Sequence, residues 1–130
     1  MKVNYLENKE ERNKKEWLKR KEKRRVDVMF RIMDNMVTRT LAAFKKGGVK
    51  PKIPILTMLG LNKMEFKEYL ESKFKDGMTW ENYGKKKTDW SIDHIISISQ
   101  WDLNDIEEQK KACHYTNIQP LSFIENSIKK

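Results

Sequence analysis

Residues 89–102 read "DWSIDHIISISQWD", and within this apolar run an aspartate and a histidine, Asp93 and His94, stand side by side. Charged side chains are rarely buried without a partner or a metal. An imidazole that titrates near neutrality suits proton transfer, and a carboxylate suits a hard, oxygen-preferring cation. An isolated pair of this kind is more often structural, the carboxylate holding the ring. Two more polar residues follow: Asn117 comes 23 residues after His94, and Asn126 nine residues after that.

The elements that must position these residues are legible in outline. The β-branched run "WSIDHIISIS" predicts a strand. Asp105, with Glu108 three residues on, predicts a helix through "IEEQKKACHY". "NIQPL" must be extended, because Gln119 precedes Pro120. "SFIENSIKK" predicts one to two closing helical turns, held by packing of Leu121, Phe123, Ile124 and Ile128. Upstream, Asn62 with Glu65 resembles a capping box, and Leu61 could staple to Phe66. Phe66, Tyr69, Leu70 and Phe74 then predict a short helix ending near Gly77. "MTWENYGKKKTDW" is a loop anchored by Trp80 and Tyr83. Val26, Met29, Phe30, Met33, Val37, Leu41 and Phe44 recur at three- and four-residue steps, predicting an amphipathic helix over 26–46. Gly47-Gly48 stops it, and Pro51 and Pro54 keep the linker extended. Residues 1–25 are a basic helical arm whose apolar face is only Tyr5, Leu6, Trp17 and Leu18. The division is therefore 1–25 arm, 26–54 helix and linker, and 55–130 compact domain.

Bulk properties narrow the partner. The 130 residues carry a formal net charge of +9, with a pI near 9.6 and a mean hydropathy of −0.86. Such a basic balance favours a polyanion, nucleic acid before a membrane surface. The longest apolar run, around "IPILTMLGL", is far too short to span a bilayer. No signal-peptide pattern opens the chain, and a cytoplasmic setting fits. One cysteine, Cys113, excludes an internal disulfide and paired zinc knuckles, so no structural zinc is expected.

Residues 90–130, with "DH" on a strand, "HYTNIQPL" as a second element and a final Asn on a closing helix, resemble the HNH nucleases, the ββα-metal or His-Me finger group. "MLGLNKMEFKEYLESKFKDGMTWENYG" is similar to the segment that precedes this core in many phage and mobile-element members. The resemblance covers about residues 55–130, with weaker similarity back to about residue 30. It implies an α+β fold, mainly helical, with a small C-terminal ββα-metal core. It implies that His94 is the general base, that Asp93 and Asn126 hold one divalent ion, and that Asn117 orients the imidazole. Asp and Asn as ligands imply Mg²⁺, or Mn²⁺, where many relatives have a His in place of Asn126. The implied activity is a metal-dependent endonuclease that nicks or cleaves double-stranded DNA in a cytoplasm, the host cell's for a viral member. A homodimer or a phage packaging partner is compatible with it. Relatives often carry Pro where this chain has Ser97. Neighbours on a flat strand face opposite ways. The strand must therefore twist, bulge or end near Asp93 and His94, or else a phosphate lies between them; we favour the second.

Other residues have plainer readings. His114 is a packing or capping residue, Cys113 a core thiol, and Trp90 and Trp101 core aromatics. Contact with the phosphate backbone falls to Lys19, Arg20, Arg24 and Arg25 on the arm, Arg31, Arg39, Lys45 and Lys46 on the next helix, and the Lys85, Lys86, Lys87 loop. The competing expectation is a DNA-binding or packaging accessory protein whose HNH core has lost activity. Action on RNA is a third.

Overall fold

A computed structural model describes the backbone of residues 2–129 and the side chains of residues 8–129. The fold is α+β, mainly helical, with one two-stranded antiparallel sheet.

Helix α1, Lys2–Val26, is long, basic and without an apolar stripe, so it stands in solvent over most of its length. Trp17 and Leu18 are exposed; the side chains of Tyr5 and Leu6 lie outside those described. Asp27 breaks the helix. Its extended backbone and its Oδ1, which accepts the Phe30 N–H at 3.1 Å, cap helix α2, Val28–Lys46. The break falls at Asp27 rather than at 25/26. Arg20 then reaches Asp34 at 2.7 and 2.9 Å across 14 residues. A straight helix would hold such residues about 21 Å apart, so α2 turns back along the end of α1. Arg24 also meets Asp34 and donates to Asn35 Oδ1 at 2.7 Å.

The buried stripe of α2 is Met29, Ile32, Met36, Thr40 and Phe44. Val26 and Leu41, expected in it, are exposed. The stripe is rotated because Thr40 takes a core position: its hydroxyl donates back to the Met36 carbonyl at 2.7 Å and is thereby satisfied. The first half of α2 packs with Leu59, Phe66, Leu70, Trp90, Ile92 and Ile118. Phe44 joins a second cluster with Ile55, Met58, Ile98, Leu103, Ala112 and Cys113. One helix thus braces both halves of the core.

Beyond the prolines comes helix α3, Ile55–Leu59, which the apolar run concealed; left-handed Gly60 (φ 82°) ends it. A Cβ at Gly60 would also meet the His114 ring at 3.1 Å. Helix α4, Lys63–Ser72, carries the full Asn62–Glu65 capping box, and Leu61 packs beside Phe66. Phe74, Trp80 and Tyr83 pack edge-on around Trp90.

Strand β1, Trp90–His94, pairs antiparallel with β2, Ile118–Ser122, setting Asp93 opposite Gln119 and His94 opposite Ile118. The strand is half the length expected. It ends at His94 because Ile95 and Ile96 turn their N–H groups to Asn117. Helix α5, Ile106–Cys113, is capped by Asp105 and runs between the strands. Helix α6, Phe123–Lys129, follows β2 directly. Its expected apolar packing is absent: Leu121 is buried, but Phe123, Ile124 and Ile128 are exposed. Polar contacts hold it instead. Lys75 Nζ donates to Glu125 at 2.6 Å, and Glu125 N–H donates to Ser122 Oγ at 3.1 Å. Among the described residues no helix is long and apolar enough to cross a membrane.

Candidate active site

The end of β1 and the inner face of α6 form one side of an open cavity of about 960 Å³, and α2 forms the other. Asp93, His94 and Asn126 all line it, as do Arg39, Lys46 and Lys129. Asp93 and His94, the last two residues of β1, both line this cavity. Asn126 therefore lies on the Asp93 side of the core.

His94 is largely enclosed. Burial lowers its pKa below the ordinary value, Arg39 and Lys129 push the same way, and the Asp93 charge opposes them. The ring is accordingly neutral at pH 7 and able to accept a proton. Asp93 Oδ2 accepts from Gln119 Nε2 at 3.0 Å and from Lys129 Nζ at 2.7 Å. Arg39 extends from α2 and donates to the Ile92 carbonyl at 3.2 Å, which brings its guanidinium beside β1.

Asn117 is buried just before β2, outside the cavity, and all its side-chain bonds go to backbone. Its Oδ1 accepts from Ile96 N–H at 2.8 Å, and its Nδ2 donates to the carbonyls of Ile96 at 3.0 Å and Ala112 at 2.9 Å. Through these bonds it pins the turn that follows β1, and none of them reaches His94. That turn also accommodates the missing proline: Ser97 sits at φ −53°, ψ 139°, a conformation proline itself adopts.

Lys129 was not anticipated. Its ammonium donates to Asp93 Oδ2 and to the His94 carbonyl, both at 2.7 Å, and to the Ile95 carbonyl at 3.3 Å. Its spacing, three residues after Asn126 on a short helix, was the only signal available, since i and i+3 share a face. Three oxygens around one cationic centre are a fitting environment for a hard ion, and Asn126 lines the same cavity. The chemistry of this donor set suits Mg²⁺ or Mn²⁺, which one or two carboxylates with waters can hold. Among the described residues no group of three or more His, Cys, Asp or Glu forms a dedicated cage.

The expected phosphate contacts divide. Lys85, Lys86 and Lys87 are exposed on their bend. Lys85 lines a neighbouring cavity with Arg31, Arg39 and Asn126. Lys45 and Lys46 are exposed, Lys46 at the main cavity. Arg31 donates to the Arg24 carbonyl at 3.0 Å and lies over the Tyr83 ring. Arg20 and Arg24 hold the α1–α2 hairpin, Arg25 pairs with Glu22 at 2.5 Å, and Lys19 stands off Glu16 at 3.8 Å. His114 accepts from Thr116 N–H at 3.4 Å and packs on Tyr115, a capping and packing residue. Burial raises the Cys113 thiol to about 11, an inert core sulfur.

No family model and no solved structure matches the chain. It is similar to an uncharacterized protein of Acanthamoeba polyphaga mimivirus, 34% identical over 103 residues, which is 79% of this chain and 43% of that protein. It is also similar to a second uncharacterized protein of the same virus, 36% identical over 64 residues, 49% of this chain and 27% of that protein. The chain thus spans less than half the length of each of these curated relatives.

Proposed function

We propose that the chain carries an HNH-type, ββα-metal endonuclease core that hydrolyses DNA phosphodiester bonds with one Mg²⁺. The observation that carries this reading is the convergence of Asp93, His94 and Asn126 on one cavity with cationic walls. The order strand, strand, helix along β1, β2 and α6 supports it as well. His94, neutral at pH 7, takes the proton from the attacking water. Arg39 and Lys46 hold phosphate oxygens at the cavity wall. Asn117 keeps the turn after β1 in place. Asp93 and Asn126 supply the oxygen ligands of the ion, which when bound stabilises charge on the phosphate and on the departing 3′ oxygen. The exposed Lys85, Lys86, Lys87 bend and the α1 arm supply affinity for duplex DNA without reading sequence.

A second reading, a DNA-binding accessory protein without catalysis, is favoured by one observation: the Lys129 ammonium already neutralises Asp93. A plasmid-nicking assay separates the two. Mg²⁺-dependent conversion of supercoiled to open-circular DNA, abolished by chelator, is the expected result. Tight binding with no cutting at any Mg²⁺ or Mn²⁺ concentration would leave the accessory reading.

A further inference from the structure

The geometry points to Lys129 as an internal counter-cation that competes with the divalent ion for Asp93 and thereby sets the metal affinity of the site. The inference rests on the proposed metal site and deepens it. Lys129 Nζ donates to Asp93 Oδ2 and the His94 carbonyl at 2.7 Å, with the Ile95 carbonyl at 3.3 Å. Asp93 is the carboxylate expected to anchor the metal, and its side chain is only 15% exposed. The other hydrogen bond on Oδ2 comes from the neutral Gln119 amide, so among the described residues the one full charge bonded to this carboxylate is the Lys129 ammonium.

Two cations on this carboxylate repel each other. Mg²⁺ binds oxygen at about 2.0–2.1 Å, and an ammonium hydrogen-bonded to the same oxygen would stand only about 4 Å from the ion. Metal entry is therefore opposed while the Lys129 ammonium is in place and favoured by its departure. Asn126 and Lys129 lie three residues apart on α6 and line the same cavity. One helix thus presents both a ligand for the metal and a rival to it. The helix is free to adjust, because none of its residues is buried. Its hold on the rest of the fold includes the Lys129 contacts, so the same lysine that keeps metal out also docks α6 in the metal-free state. Metal binding exchanges one form of docking for the other, from ammonium on Asp93 to amide oxygen on the ion.

Lys129 differs in this respect from Lys46. Both line the cavity, but Lys46 makes no hydrogen bond or ion pair with Asp93 and so acts on that carboxylate only through the general field. That contrast supplies the control. Mn²⁺ binding to the full chain can be followed by electron paramagnetic resonance for the parent, Lys129→Met, Lys46→Met and Asp93→Asn. Lys129→Met keeps the alkyl stem and removes only the charge. It should bind Mn²⁺ about two- to fivefold more tightly than the parent, the range expected for one partly exposed ion pair. Lys46→Met should change binding by less than half that factor, and Asp93→Asn should lose it. A separate measurement needs no variant: saturating Mg²⁺ should raise the rate at which the Lys129 amine of the parent protein is acylated, read by peptide mass spectrometry. Equal Mn²⁺ affinity for parent and Lys129→Met would overturn the competition while leaving the metal site intact, as would an unchanged Lys129 acylation rate in Mg²⁺. Equal gains from Lys129→Met and Lys46→Met would reduce the effect to general electrostatics and also overturn it. Absence of Mn²⁺ binding in parent and Lys129→Met alike would overturn the competition and the metal-dependent reading together.

Discussion

His94 and Asn117 are placed by opposite means: His94 lines the cavity, while the side-chain bonds of Asn117 all go to backbone. Because burial holds the His94 pKa below its ordinary value, the proton-accepting form persists to lower pH than for a free imidazole. The cleavage rate should therefore rise with pH with its midpoint below about 6.5, the ordinary histidine value. A single-turnover pH profile checks this; a midpoint above that value would contradict it. The same shift has a stability consequence. The folded state resists protonation, so the contribution of His94 is present above the ordinary value and lost as pH falls through the folded one. Asn117→Ala leaves the Ile96 and Ala112 backbone groups without their partner and should cost about 1–3 kcal/mol in urea denaturation. The Asp–His pair was legible in the sequence because its types are costly to bury; Asn117 and Asn126 stood out only through their spacing in the resemblance to the HNH group. Lys129 was not, since a lysine near a chain end is ordinary and only the folded helix carries it onto Asp93.

The elements were legible where local chemistry fixes them. The Asn62–Glu65 box, the Asp105 cap and the extended segment before Pro120 all formed as expected. Misreadings arose where tertiary context overrides a pattern. Thr40 entered the core by bonding its own helix, and β1 stopped early because a residue 21 positions away captured Ile96. The α6 helix illustrates the same point: apolar spacing suggested packing, yet polar contacts hold it. Ile128→Ser should thus change stability by less than about 0.5 kcal/mol, as at exposed sites generally. Thermal unfolding checks this, and a loss above 1.5 kcal/mol would restore the packing role. Ser97 already adopts a proline-like conformation. Ser97→Pro should raise stability by about 0.4–1 kcal/mol through the unfolded chain; destabilisation in the same assay would show that the turn needs the Ser97 N–H.

At the scale of the whole molecule, charge and shape act together. The net charge of +9 includes the lysines and arginines of α1, of α2 and of the Lys85, Lys86, Lys87 bend, while Asp93 and His94 line the cavity beside α2. On the proposed reading such a surface gathers a polyanion without specifying its sequence. If about six phosphates are engaged, affinity for duplex DNA should fall roughly 10³-fold between 50 and 200 mM salt. Fluorescence anisotropy reads this slope directly, and a flat response would remove the electrostatic role. The claim on which the rest depends is narrower: His94 performs the proton transfer and is not needed for binding. The decisive measurement compares single-turnover plasmid nicking by the parent and by His94→Ala, in Mg²⁺, at protein concentrations giving equal DNA occupancy. Our account predicts unchanged DNA affinity and a rate lower by about 10²–10⁴-fold. Equal rates for the two proteins would contradict it.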